Sequence, residues 1–185
     1  ALGSLPSSIV AIRGHWAETS IDWAFTTAIT PGCPTDGATA GSTCPELDVT
    51  RDEMAQFMWR SKGQPAPTAT AAFEDVAVDA TYTTAVDWLA EQQITLGCTT
   101  TTYCPDGTVT RAEMAAFLWR LEGSPEGSTP AGFGDVPEGA FYGAAADWLL
   151  ASGTTTGCTT TSYCPDGLVT RAEMFTFLKR LEDST

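Results

Sequence analysis

Histidine is almost missing from this chain of 185 residues, with His15 alone, and lysine and arginine together number 9 against 23 aspartates and glutamates. With one histidine there is no base to pair with a nucleophile, and no pair of carboxylates stands apart from the capping and turn positions described below, as a glycosidase would need. The sequence therefore reads as a protein that is not an enzyme. A formal charge of -14 and a pI near 4.1 exclude generic binding to nucleic acid or to anionic membranes, where a basic face is required. Any anion must be held by a few placed arginines. No apolar run approaches the roughly 20 residues of a membrane span, and no basic, apolar leader opens the chain, so it reads as a mature form or an excised piece. The hydrophobic fraction of 43% is that of a folded protein.

What the chain does have is repetition. VTRDEMAQFMWR at 49–60 returns as VTRAEMAAFLWR at 109–120 and as VTRAEMFTFLKR at 169–180. Self-similarity at this period marks tandem structural units. The expected units are 1–62, with an extended lead-in over 1–14, then 73–123 and 133–185, which together make one compact domain. Linkers rich in proline and small residues, SKGQPAPTATAA at 61–72 and EGSPEGSTPAG at 122–132, separate them. Ahead of each repeated stretch lies a first helical segment: HWAETSIDWAF in the first unit, with Trp16, Ile21 and Trp23 at apolar positions, and YTTAVDWLAEQQ in the second. Trp23, Trp88 and Trp148 recur at one position of it and read as core or as contacts between units.

The repeated stretch predicts a capped amphipathic helix. Thr50, Thr110 and Thr170 precede Glu53, Glu113 and Glu173 by three residues, the spacing of a reciprocal capping box. Met114, Phe117, Leu118 and Leu121 follow at i, i+3, i+4 and i+7 and make one apolar stripe, repeated as Met54, Phe57 and Met58 and as Met174, Phe177, Leu178 and Leu181. Arg60, Arg120 and Arg180 lie in the last turn, where the helix dipole favours a cation. Arg51, Arg111 and Arg171 occupy the first helical position, where a cation costs about 0.3 to 1 kcal/mol. An unfavourable placement written three times calls for a partner. One candidate is a carboxylate such as Asp75, Asp135, Asp106 or Asp166; the other is a ligand anion held in bidentate fashion, with help from free N–H groups at the helix start.

Six cysteines come as one pair per unit: Cys33 and Cys44, Cys98 and Cys104, Cys158 and Cys164. The repetition favours three local disulfides and hence an oxidising, extracytoplasmic location. The loops are short, so each bridge contributes about 2 to 3 kcal/mol in the loop-entropy account. Zinc is the competing reading, but further ligands near each pair are missing. No metal and no cofactor is expected, and the PDG turns lack the alternating carboxylates of a calcium loop. Trp59 and Trp119 lie off the apolar stripe and give way to Lys179 in the third copy, which marks them as candidate exposed stacking rings, with packing against a neighbouring repeat as the equal alternative. The threonine tracts at 99–102 and 159–162 read as solvated turns, with O-glycosylation open.

The sequence F-x-D-V, a helix, a cysteine loop ending in C-P-D-G and then V-T-R-A-E-M resembles the S-layer homology repeat, in a cysteine-bearing form, over nearly the whole chain. The resemblance implies an all-α fold: three helix-loop-helix repeats around a central three-helix bundle, pseudo-threefold, with the local disulfides added. It also implies a non-catalytic module at the cell surface or cell wall. Such a module anchors an exported protein to secondary cell wall polysaccharide, often through pyruvylated sugars. In the family the grooves between repeats bind the polymer. The ligand-binding residues carried over are Arg51, Arg111 and Arg171; Asp75 and Asp135; Trp16, with Thr81 and Phe141 at the corresponding places; and Gly32, Gly97 and Gly157. The first copy departs from the pattern, reading SIVA where F-x-D-V belongs. The alternative is a structural subunit whose prongs pack against copies of themselves, or against other surface proteins, in a layer, filament or sheath.

Overall fold

The computed structural model describes residues 12–33 and 42–184; the SIVA segment, most of the lead-in and the middle of the first cysteine loop lie outside the described residues. Among them are six α-helices and no strand: α1 (Glu18–Thr26), α2 (Arg51–Ser61), α3 (Thr83–Glu91), α4 (Arg111–Leu121), α5 (Gly143–Ala151) and α6 (Arg171–Ser184). The chain is all-α. Helices α2, α4 and α6 are the three copies of the repeated stretch.

Their starts are fixed as the capping boxes require. The Thr110 and Thr170 hydroxyls accept from the N–H groups of Glu113 and Glu173 at 3.3 Å, and those carboxylates accept from the threonine N–H groups at 2.9 and 3.0 Å. In the first copy the Thr50 hydroxyl donates to Asp52 at 2.5 Å, while the Thr50 N–H reaches Glu53 at 3.4 Å. The apolar stripes of all three helices are buried in one core.

Just before each cap, the chain meets its copies. Val49 N–H donates to the Val169 carbonyl, Val169 N–H to Val109, and Val109 N–H to Val49, at 2.8 to 3.0 Å. This closed triangle of backbone bonds marks a pseudo-threefold axis. At the other end of the bundle, Ser61, Leu121 and Leu181, which hold one position in the three copies, line a single cavity of about 170 Å³. The three helices therefore run side by side around the axis from end to end.

The first helix of each repeat does not pack on the second helix of the same repeat. Instead α3 packs on α2, α5 on α4, and α1 on α6. The first two pairs follow from the linkers, which turn the chain back on itself. The third pair brings the first described helix onto the last and closes the ring with no covalent connection. The sequence repeat and the packed pair of helices are thus different units, offset by one helix.

Three disulfides are formed, Cys33 with Cys44, Cys98 with Cys104 and Cys158 with Cys164, across Cα separations of 5.5, 6.0 and 5.9 Å. With all six sulfurs paired there is no thiolate left for zinc. Each bridge pins the loop that leads into a central helix.

Candidate functional site

The first-turn arginines are buried, at 4%, 6% and 1% exposure for Arg51, Arg111 and Arg171. Each leaves its own helix and crosses to the next repeat. Arg51 Nη1 donates to Glu113 at 3.0 Å, Arg111 Nη1 to Glu173 at 3.4 Å and Arg171 Nη1 to Glu53 at 2.5 Å. The partners are therefore the capping glutamates rather than the aspartates of the turns. Each glutamate turns Oε2 to its own threonine N–H and Oε1 to the arginine of another repeat.

Each guanidinium is held by further contacts, while Arg51 Nη2 is buried with no hydrogen-bond partner. Arg51 Nε donates to the Tyr103 carbonyl and Arg111 Nε to that of Tyr163, at 2.8 and 2.9 Å. Both tyrosine hydroxyls return a bond to the arginine's own carbonyl, at 2.7 and 2.9 Å. Arg51 lies against the faces of Tyr103 and Phe117, and Arg111 against Tyr163 and Phe177, at 5.0 to 5.7 Å from the ring centroids. Such stacking stabilises a desolvated guanidinium. In the first repeat the tyrosine position is Thr43, and Arg171 is held instead between Phe57 and Phe175, at 5.1 and 5.6 Å. Phe175 stands where the other copies have Ala55 and Ala115. A large ring has moved from the loop to the helix.

The free helix-start N–H groups expected from the sequence are not free. Arg51 and Asp52 N–H donate to the carbonyls of Gly107 and Pro105, Arg111 and Ala112 to those of Gly167 and Pro165, and Arg171 and Ala172 to those of Leu47 and Pro45. The cysteine loop of the next repeat caps each central helix.

Asp75 and Asp135 clamp the same loops. The two oxygens of Asp75 accept from the N–H groups of Tyr103 and Cys104, and those of Asp135 from Tyr163 and Cys164, all at 2.7 Å. Desolvation raises both carboxyl pKa values, but these backbone bonds, with a smaller contribution from Arg51 or Arg111, outweigh it and hold them below the usual aspartate value. Burial moves Glu53 the other way, upward, against the pull of Arg171.

Gly97 and Gly157 are required by the loop itself. At φ of 82° and 80°, a Cβ at either would lie 2.3 to 2.6 Å from carbonyl oxygens of its own loop, which no side chain tolerates. The Gly32 carbonyl accepts Arg171 Nη2 at 2.8 Å.

Of the two readings of Trp59 and Trp119, the described structure has them packed rather than fully exposed. Each is half-buried against the core, with its indole N–H donated at 2.8 Å to the carbonyl of Pro65 or Pro125 in the linker that follows. Trp16 is the opposite case. It precedes α1 rather than lying on it, and the residue is 64% exposed. Trp23 and Trp148 pack partly buried on the core, and Trp88 is buried.

Two grooves run between repeats. One, of about 640 Å³, is lined by Gly32, Glu53, Gln56, Arg60, Thr81 and Arg171, with Asp48 and Asp52 beside them. The other, of about 160 Å³, is lined by the matching residues of other repeats: Gly157, Glu173, Thr176, Arg180, Trp16 and Arg111. Each groove thus draws on all three repeats. It takes an arginine from one, a glycine, a glutamate and a last-turn arginine from the next, and the Trp16 position from the third. The sequence places Arg111, Gly157 and Trp16 in three separate motifs, and the fold brings them to one groove. Asp75 and Asp135 line neither. The last-turn arginines, Arg60 and Arg180, were not singled out from the sequence, because the helix dipole already accounts for a cation there.

Among the described residues no group of three or more metal-ligating side chains is gathered, and no helix is long and apolar enough to cross a membrane. Residues 72–115, which run from the turn holding Asp75 through α3 and the second cysteine loop into α4, match the S-layer homology domain. No curated protein sequence matches the chain. Over those residues the chain is similar to the S-layer homology domain, a family of modules associated with the cell surface and cell wall.

Proposed function

We propose that the chain binds cell-wall polysaccharide and so anchors an exported protein to the cell surface, with a carboxylate-bearing sugar, such as a pyruvylated one, as the recognised unit. The observation that supports this most directly is the groove that the exposed Trp16 lines together with Gly157, Arg111 and Arg180. A flat aromatic face beside guanidinium groups suits a sugar ring that carries an anion. The arginines at the three helix starts contribute by holding the groove walls in register, as do Asp75, Asp135 and the loop glycines.

Cosedimentation with purified cell-wall sacculi tests the reading. The wild-type chain is expected to pellet with sacculi and to be released by soluble wall polysaccharide, and Trp16→Ala to remain in the supernatant while keeping its melting temperature. A wild-type chain that stays in the supernatant defeats the proposal. Arg111→Ala is also expected to abolish binding, although its burial means that folding must be measured beside it.

A second reading, assembly into a surface layer, filament or sheath, draws on the exposed apolar side chains Val78, Leu96 and Phe141. Sedimentation velocity at high protein concentration separates the two: assembly requires concentration-dependent oligomers, and anchoring does not.

A further inference from the structure

We infer that the cation which contacts the ligand's carboxylate is Arg180, in the last turn of α6, and that the first-turn arginine of the same groove, Arg111, acts only as a positioning residue. The inference rests on the polysaccharide-binding reading above and sharpens it, since it assigns the contact to a residue outside the repeated V-T-R-A-E-M motif.

The two grooves differ in the donors that they can offer an anion. Arg111 is buried beneath two aromatic rings, with Nε committed to the Tyr163 carbonyl and Nη1 to Glu173, so that only Nη2 lacks a protein acceptor among the described residues and no pair of free nitrogens faces a carboxylate. Moving it toward a ligand would break the junction between the second and third repeats. Arg180 is exposed and makes one bond among the described residues, from Nη1 to the Thr154 carbonyl at 3.0 Å. That bond anchors one nitrogen and leaves Nε and Nη2 without a protein acceptor, which is the arrangement that takes a carboxylate. Thr154 and the neighbouring Thr155 are buried, so the anchor is rigid.

The equivalent arginine of the larger groove is spent differently. Arg60 gives Nη1 to the Ile29 carbonyl at 3.1 Å and Nη2 to Gln56 at 2.8 Å. That glutamine occupies the place of Thr176, which is too short to reach. The larger groove also has Asp48 and Asp52, where the third repeat has Leu168 and Ala172, and Thr81 where the smaller has Trp16. Arg171 in that groove has no donor to spare: Nε goes to the Thr43 carbonyl, Nη1 to Glu53, and Nη2 to Thr30 and Gly32. An anion therefore meets two extra carboxylates there, and both terminal nitrogens of Arg60 are already taken. In the Trp16 groove it meets one paired carboxylate, Glu173, and an open guanidinium.

The test is isothermal titration with soluble wall polysaccharide, run on the wild type, Arg180→Gln, Arg180→Lys and Arg120→Gln, each checked for an unchanged melting temperature. A second set uses the same polymer after chemical reduction of its carboxyl groups to alcohols. Arg180→Gln is expected to weaken binding roughly 10- to 100-fold, the range for loss of a charged hydrogen-bonded pair. Arg180→Lys, which keeps the charge and the reach to Thr154 but loses the fork, is expected to fall between, and Arg120→Gln to bind as wild type. Carboxyl reduction should weaken the wild type to the level of Arg180→Gln and leave Arg180→Gln unchanged. Wild-type affinity in Arg180→Gln, or equal weakening of wild type and Arg180→Gln by carboxyl reduction, overturns the assignment while leaving polysaccharide binding intact. A wild type that binds neither polymer overturns both.

Discussion

Arg171 Nη1 donates to Glu53 Oε1 at 2.5 Å across 118 residues of chain, and so ties the last repeat to the first. At the other two junctions a linker keeps the neighbours together. Here side chains must do so, and the junction is correspondingly dense: Arg171 is the most buried of the three arginines and has the most protein partners. Removing one partner of a buried ion pair leaves the other charge uncompensated and costs about 3 to 5 kcal/mol. Arg171→Ala is therefore expected to lower the urea midpoint by more than Arg51→Ala does. A smaller loss for Arg171→Ala would show that the closing junction is not what holds the ring together.

The exchange of Tyr for Phe between loop and helix makes a sharper prediction. Phe175→Ala should cost about 3 to 5 kcal/mol by opening a cavity beside Arg171. Adding Thr43→Tyr, which rebuilds the arrangement around Arg51 and Arg111, should recover part of that loss. In a double-mutant cycle the two changes then couple favourably; strictly additive changes would mean that the two rings do not substitute for one another.

Acid should weaken the fold through Asp75 and Asp135. Their folded pKa values lie below the ordinary aspartate value of about 3.9, so the stability they contribute is fully present above that pH and is lost as pH falls through the folded values. Glu53 has the opposite sign: its pKa is raised, so it favours the folded state as the pH falls through that raised value. Asp75→Asn is expected to be less stable than wild type at pH 7, with the difference shrinking toward pH 2. A constant difference across that range would rule out the N–H clamp as its origin.

Ser61 stands where the other copies have Leu121 and Leu181, and a cavity of about 170 Å³ lies at that end of the bundle. Ser61→Leu gives up the bond from its hydroxyl to the Met58 carbonyl but sets an apolar side chain in the cavity that Leu121, Leu178 and Leu181 line, for an expected gain of about 1 kcal/mol in chemical denaturation. A loss of stability would mean that the space is closed to an added side chain.

The parts of this structure that were legible in the sequence are those whose causes lie within one helical turn or one short loop. The Thr110 and Glu113 cap, the stripe from Met114 to Leu118 and the pairing of Cys98 with Cys104 are of this kind. The destination of Arg111 was not, because Glu173 lies 62 residues away and its carboxylate already had a sufficient local role. Only the structure shows that one oxygen caps a helix while the other reaches a different repeat. The offset between sequence repeat and packed helix pair was hidden for a similar reason: V-T-R-A-E-M recurs identically whichever neighbour its helix packs on. Arg180 was passed over because a favourable dipole explained its position and left no residue of surprise.

The triangle formed by Val49, Val109 and Val169 has a consequence for how such a chain can evolve. In an open stack of repeats, a copy can be gained or lost at either end, because each unit presents the same face to whatever follows. Here every valine N–H and carbonyl in the triangle is consumed by another member, and the arginine and glutamate pairs run around the same closed circuit. A fourth copy has no vacancy to enter, and deletion of one strands a donor and an acceptor at the centre of the core. Copy number is set by closure, so diversity can arise only by altering individual copies, as the Trp16, Thr81 and Phe141 positions show.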